Sequence, residues 1–546
     1  MRKTISVTAA VLFCLVCFGQ RPDTIEVWGR KVPLEMYLRY QGFSDDTSYR
    51  PEKWGDQGDG TFVNPILNAD YSDPDAIRVG DTYYMVASDF HFIGMQMLSS
   101  KDLVNWEFVS QLYDKFDYPG WDSMEHYGNG SWAPSVRYHD GKFYVYFCTP
   151  VEGLFMTCAE NPEGPWSELL LVHAGAGWED PCPFWDEDGS AYLGHSLVGA
   201  GPIIIHKMSP DGKTLLDEGV EVYRGNVAEG TKIHKWDGLY YMSIPEGGVG
   251  QGNQVILRSD SIYGPYERKV VLEKGSTNVN GPHQGAIVDT PDREWYFMHF
   301  QQTPAIGRVV HLQPMRWEDG WPVMGEDYDG NGIGEPVGSW KMPSSTSGKP
   351  EIPHKPASSD DFSGKTLGVQ WQFNHNPVPE AISLTAKKGY LVTKALKADN
   401  FHFARNTVTQ KLMGYTGTAT LKVKLSKMKD GQRLGLAVLG LLEQKAGVKK
   451  ENGKKWVYFE NEKGEEVLSV PIKRSRVWFR LDYDMRDLTL RFSYAVKKGK
   501  FLAMGEPFIN LFGNWKGIRP ALFNYNTVSE GGEALFDEFV YEFDCK

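Results

Sequence analysis

Along residues 60–340, apolar positions fall in short alternating runs broken by Gly, Asp or Pro, and helical spacing is scarce. One element recurs, an Asp/Gly turn followed by an aromatic strand: GDTYYM (80–85), DGKFYVYF (140–147), DGSAYLGH (188–195), DGLYYMS (237–243) and DREWYFMH (292–299). Tyr84, Tyr144, Tyr192, Tyr241 and Tyr296 anchor the copies, about 50–60 residues apart. A second echo of turn, aromatic and apolar strand runs through SKDLVNWEFV (100–109), NPEGPWSELLL (161–171) and SIYGPYERKVV (261–271). Repeats of this length, each made of several antiparallel strands, are propeller blades. The pattern predicts a five-bladed β-propeller over residues 60–340.

The rhythm then stops. Residues 339–359, SWKMPSSTSGKPEIPHKPASS, have linker composition, and we place the linker at 341–358. Beyond it TATLKVKL (418–425), VWFRLDY (477–483), LTLRFSYAV (488–496) and ALFDEFVYEF (534–543) alternate with period two. An antiparallel β-sandwich over 359–546 fits, making the chain all-β.

The N-terminus follows a different rule. MRKTISVTAAVLFCLVCFGQ has a basic start, a short apolar core and Gly19 near its end, the layout of a secretory signal peptide over 1–19. Residues 20–59 are then a leader before the propeller. Bulky Phe13 and Val16 before Cys14 and Cys17 speak against a lipid-modified cysteine. The expectation is an exported protein, periplasmic first and secreted second, with no membrane insertion. Four more cysteines, Cys148, Cys158, Cys182 and Cys545, are too few for a disulfide scaffold. Cys148 and Cys158 either pair across a hairpin or stay free thiols.

Charge and composition narrow the partners. A net charge of −12 argues against nucleic acid and anionic membranes. The 13% aromatic content, with 17 Trp and 27 Tyr, suits strands and flat faces against which sugar rings stack. Without a CxxC pair or an HExxH, zinc has no support.

About 11–13 residues before each anchoring tyrosine stand Asp73, Trp132, Asp180, Glu229 and His283. Equivalent blades would set these five around one mouth of the central channel. A single Asp before a strand is a turn. Three carboxylates in register make a funnel of acid. Like charges in a narrow pocket raise each other's pKa, so one acid can stay protonated while another is ionised. That division of labour on opposite sides of a sugar hydrolyses glycosides. Trp132 would supply a stacking face.

SDPDAIRVGDTYYM, SWAPSVRYHDGKFYVYF, WEDPCPFWDEDGSAYL, AEG, GPHQG and GRVVHLQPMRW stand in the order seen in glycoside hydrolase family 43, which the chain resembles across nearly the whole propeller. The second domain, from DDFSGKTLGVQWQFNHNP (360–377), resembles the concanavalin-like jelly roll that follows many such propellers. The resemblance implies an inverting enzyme acting on arabinose- and xylose-containing plant polysaccharides. It assigns Asp73 as general base, Glu229 as general acid and Asp180 as the residue that tunes and orients the acid. Arg308 would contact the sugar, and Phe90 and Trp132 would wall the pocket. His283 matches a histidine near the axis, which holds either a calcium ion or water, or is simply hydrogen-bonded. No organic cofactor is implied; calcium at the propeller axis is the one metal allowed.

Three departures matter. Glu179 directly precedes Asp180, although strand alternation would point only one of them inward. Thr231 stands where many relatives have proline. SDFHFIGMQM (88–97) replaces an aromatic-proline loop of β-xylosidases, which tilts the reading toward an exo-acting α-L-arabinofuranosidase on arabinoxylan or xyloglucan. A β-1,4-xylosidase or a bifunctional enzyme is the alternative, and a non-catalytic glycan-binding propeller ranks lower. DYDGNGIG (327–334) mimics a calcium loop, but Gly338 stands where the bidentate Glu would be, so a Gly-rich turn is expected.

Overall fold

In the computed structural model, which describes residues 24–27, 30–40, 53–344 and 355–544, each repeat is one four-stranded antiparallel sheet. The first strands, Ser72–Val79, Trp132–His139, Trp178–Trp185, Lys232–Trp236 and His283–Asp289, surround the axis. All five anchoring tyrosines lie on second strands. Lys142–Thr149 is buried along nearly its whole length, with Tyr146 and Phe147 fully enclosed. Blades cover both faces of such a strand, so its sequence reads as a continuous aromatic run. The echoes at 100–109, 161–171 and 261–271 lead into or form the outermost strands Trp106–Gln111, Leu170–Ala174 and Glu267–Leu272. Arg78 of the first blade closes the ring on Asp289 of the fifth at 2.5 Å.

Four of the first strands carry a bulge near their start, where register shifts between Ser72 and Asp75, Trp132 and Ser135, Glu179 and Cys182, and His283 and Gly285. Inside them Asp73, Ala133, Asp180 and Gln284 have φ of 52°, 39°, 55° and 42°, and Gly230, just ahead of the fourth blade's strand, has 64°. These are the equivalent positions of the five blades. The register read from the tyrosines therefore holds at Asp73 and Asp180; Trp132, Glu229 and His283 stand one residue earlier. A left-handed conformation costs a non-glycine residue about 1–3 kcal/mol. Here the bulge re-aims the side chain at the channel mouth.

The C-terminal domain is a sandwich of a seven-stranded and a nine-stranded sheet. Strands Thr416–Lys427 and Arg476–Asp484 alternate buried and half-exposed residues, as their sequences predict. The nine-stranded sheet takes in Phe92–Ile93 of the propeller, paired with Gln372–Asn374. One hydrophobic core runs through both domains, joining Tyr71 and Trp106 to Trp371 and Leu412. Ahead of the propeller, a hairpin of Thr24–Val27 and Arg30–Pro33 leads into a helix, Leu34–Tyr40, which the repeat pattern does not foresee.

The signal peptide expected at 1–19, Cys14, Cys17, Cys545 and linker residues 345–354 lie outside the described residues. No helix among the described residues is long and apolar enough to cross a membrane. Cys148 and Cys158 do not pair: the hairpin register sets Cys148 opposite Leu154 and Cys158 opposite Tyr144, and both are free thiols. At 327–334 the Asp327 carboxylate accepts from the backbone N–H groups of Gly330, Asn331 and Gly332, which makes the segment a turn.

Candidate active site

Asp73 is held at both carboxylate oxygens. Arg308 Nη1 donates to Oδ1 at 2.7 Å and Ser88 Oγ donates to Oδ2 at 2.6 Å. Each oxygen has two lone pairs, so one acceptor position stays open on each. Arg308 reaches Asp73 from the third strand of the fifth blade, Arg308–Glu318. Its guanidinium also donates to Ser72 Oγ at 3.0 Å and lies 4.6 Å above the Phe300 ring.

Asp180 is bound on three sides. Its Oδ2 accepts from the backbone N–H of Gly230 at 2.6 Å and from Ser196 Oγ at 3.3 Å. Oδ1 accepts from Gln284 Nε2 at 3.0 Å. Gly230 is the residue after Glu229, so Asp180 fixes the backbone that carries Glu229. Burial, then the charge of Glu229, raises the Asp180 carboxyl to about 6.

Glu229 Oε1 lies 2.8 Å from His283 Nε2, and the Glu229 side chain keeps 21% exposure toward the mouth. Glu179, Asp180 and Glu229 each bring one carboxylate oxygen within 4.8 Å of the others. Simple alternation fails here because the bulge lies between Glu179 and Cys182, letting consecutive residues share one side. Burial, then the neighbouring Asp180 charge, pushes Glu179 up to about 9, while its Oε1 accepts from the Ala200 N–H at 3.0 Å.

Aromatic rings wall the mouth. Phe90 and Trp132 meet edge to face with centroids 6.1 Å apart. Trp515, from the sandwich domain, stands 6.4 Å from Trp132 and 5.7 Å from the Arg308 guanidinium. All seven residues expected at the site, Asp73, Phe90, Trp132, Asp180, Glu229, His283 and Arg308, are linked by these contacts to one end of the propeller. Sequence reasoning missed Trp515, Ser88, Gln284 and Gly230. Trp515 gives no local signal, because a residue from a separate domain reaches the pocket only through tertiary packing.

Calcium takes six to eight oxygen ligands. The one carboxylate on the His283 ring is that of Glu229, at Nε2, and the buried Nδ1 has no partner among the described residues, so a calcium ion on His283 would take its oxygens from water. Through Nε2, His283 belongs to the setting of Glu229.

Four acids at one propeller mouth, Glu179 and Asp180 among them raised in pKa, with aromatic walls and an arginine, make the equipment of a glycoside hydrolase. The family model of glycosyl hydrolases family 43 matches residues 62–322, and that of the beta xylosidase C-terminal concanavalin A-like domain matches 359–542. A protein of Xylanibacter ruminicola named "Putative beta-xylosidase" is 53% identical over 85% of this chain and 86% of its own. A non-reducing end α-L-arabinofuranosidase of Bacteroides ovatus is 31% identical over 69% of this chain and 73% of its own. A bifunctional GH43-CE protein of Bacteroides eggerthii superposes with a TM-score of 0.79 at 31% identity, over 90% of this chain; the match spans 64% of that longer protein. The chain belongs to glycosyl hydrolase family 43.

Proposed function

We propose that the protein is an exo-acting, inverting β-xylosidase that removes terminal β-D-xylosyl units from xylan-derived oligosaccharides. The carrying observation is the convergence of Asp73, Asp180 and Glu229 at one mouth, with Asp180 tied to the backbone beside Glu229 at 2.6 Å. Glu229 gives its proton to the departing glycosidic oxygen as positive charge develops on the sugar ring. Asp73, with one acceptor position open on each oxygen, takes a proton from the water that attacks the opposite face. Asp180 holds the Glu229 backbone in place. Arg308 keeps Asp73 oriented, and Phe90, Trp132 and Trp515 stack on the sugar or its neighbour.

Xylose is placed ahead of arabinose, reversing the order read from the sequence. The loop at 88–97 favoured arabinose, but much of it serves the domain junction: Phe92 and Ile93 join the sandwich sheet and Gln96 donates to Val369 O. The 53% identical relative carries a xylosidase name. Release of α-L-arabinofuranosyl units is the second reading, favoured by the name of the 31% identical relative. Initial rates on 4-nitrophenyl β-D-xylopyranoside and α-L-arabinofuranoside test it. A higher kcat/KM on the xyloside is expected, and a clear preference for the arabinoside would restore the sequence-based order. Export, read from residues 1–19, is part of this proposal, with N-terminal sequencing of the mature protein as its test.

A further inference from the structure

Both oxygens of Asp73 lead back to one lysine of the other domain. Lys516 is buried, with 2% of its side chain exposed, and its Nζ lies 2.7 Å from Asp70 Oδ2, whose own side chain is fully enclosed. The same Nζ donates to the backbone carbonyl of Ser88 at 3.0 Å. Ser88 is the residue whose hydroxyl donates to Asp73 Oδ2. Asp70, through Oδ1, accepts from the backbone N–H of Arg308 at 3.0 Å. Arg308 is the residue that donates to Asp73 Oδ1. Two short chains of contacts therefore run from one ammonium group to the two oxygens of one carboxylate.

The junction is closely fitted on both sides. A Cβ on Gly307 would meet Asp70 Oδ1 at 2.4 Å, and one on Gly517 would meet the Ile306 carbonyl oxygen at 1.8 Å. Gly517 N–H adds a second donor to Asp70 Oδ2 at 3.2 Å. Lys411 pairs with the neighbouring Asp89 at 2.5 Å, Arg519 approaches it at 3.5 Å, and Lys516 Nζ lies 3.9 Å from the same carboxylate. What Lys516 adds is direct contact with both segments that hold Asp73, through the Ser88 carbonyl and through Asp70.

We propose that Lys516 of the sandwich domain is a positioning residue for Asp73; this rests on reading Asp73 as the general base. The lysine touches neither sugar nor water. It fixes the Ser88 backbone directly and the Arg308 backbone through Asp70, and so sets where the Asp73 carboxylate points. A displacement of a reacting group by about 1 Å can cost on the order of a hundredfold in rate. A buried ammonium paired with a buried carboxylate tolerates little such movement. On this account the second domain is part of the reaction machinery, beyond supplying Trp515 to the rim.

The test compares kcat and KM of the full chain carrying Lys516→Met, Lys516→Arg or the double change D70N/K516M, each checked for folding by circular dichroism and thermal melting. Lys516→Met should lower kcat about 10- to 100-fold with KM changed less than about threefold. The loss should be equal on nitrophenyl and dinitrophenyl xylosides, because water activation, not departure of the leaving group, is impaired. Lys516→Arg should recover most of the rate. The double change removes both buried charges together and carries the same test should the single variant not fold. A folded variant with kcat within twofold of the native value, or a defect confined to KM, would overturn the proposal. Asp73→Asn separates the two readings: if it retains native activity, the base assignment itself fails, whereas an inactive Asp73→Asn beside a fully active Lys516→Met removes only the positioning role.

Discussion

Glu229 Oε1 sits 2.8 Å from His283 Nε2, while Nδ1 of the same buried ring has no hydrogen-bond partner among the described residues. A proton on Nδ1 would be a buried donor left unpaired, so the tautomer that satisfies the site carries it on Nε2 and donates to Oε1. The Glu229 proton then resides on the other oxygen, the one free to face a substrate. Replacing His283 by Ala should lower kcat on 4-nitrophenyl xyloside roughly 10- to 100-fold, a share of what general acid catalysis supplies. Most of that loss should vanish on a dinitrophenyl xyloside, whose leaving group needs little protonation. Equal losses on both substrates would detach His283 from proton donation.

The pH profile should report Asp180. Its carboxyl, raised to about 6 by burial and by the charge of Glu229, takes up a proton as the pH falls through that value. Protonation weakens its hold on Gly230 N–H and Gln284 Nε2, so kcat/KM should fall below about pH 6, approaching tenfold per pH unit. A profile flat down to pH 4.5 would contradict this. Asp180→Asn should lose roughly 10²–10³-fold in kcat at every pH, measured with the same aryl xyloside.

Glu179 places a stability cost beside the reacting groups. Its folded-state pKa is about 9 against an ordinary value of 4.5. Between those limits the folded protein binds a proton that the unfolded chain has released, so stability falls as pH rises from 4.5 through 9. Glu179→Gln has no such penalty. The variant should melt at a higher temperature than the native protein at pH 8, by an amount corresponding to about 2 kcal/mol, and the gain should shrink toward pH 5. Thermal melts at the two pH values check it.

Trp515 is 49% exposed at the mouth, beside Trp132 and the Arg308 guanidinium. Its removal should act on substrate binding more than on chemistry. Trp515→Ala should raise KM for xylobiose about 5- to 20-fold, matching a stacking contribution of about 1–2 kcal/mol, with kcat changed less. A variant with native KM would show that the ring does not contact the sugar.

Much of this architecture is legible in the sequence because it repeats. Tyr84, Tyr144, Tyr192, Tyr241 and Tyr296 mark second strands, and the alternation of 418–425 and 477–483 matches the sandwich strands. Asp73, Asp180 and Glu229 stand about 11–12 residues ahead of three of those tyrosines. The count drifts by one residue at Trp132 and His283, where a bulge is invisible to a period-two pattern, and at Glu229, where the equivalent position, Gly230, lies ahead of the strand. The same bulge brings Glu179 beside Asp180, against simple alternation. Contacts across the domain junction left no trace at all. Nothing near Asp73 indicates that Lys516 supports it, and nothing near Trp515 marks a pocket wall, because such pairings form only when remote segments fold together.

The central claim is that Asp73 delivers water to the sugar face opposite Glu229, and the configuration of the first-formed product reads this most directly. Proton NMR during hydrolysis of an aryl β-D-xyloside, recorded before mutarotation, should show α-xylose appearing first. If β-xylose appears first, configuration is retained and the assignment of Asp73 as a base acting through water is wrong.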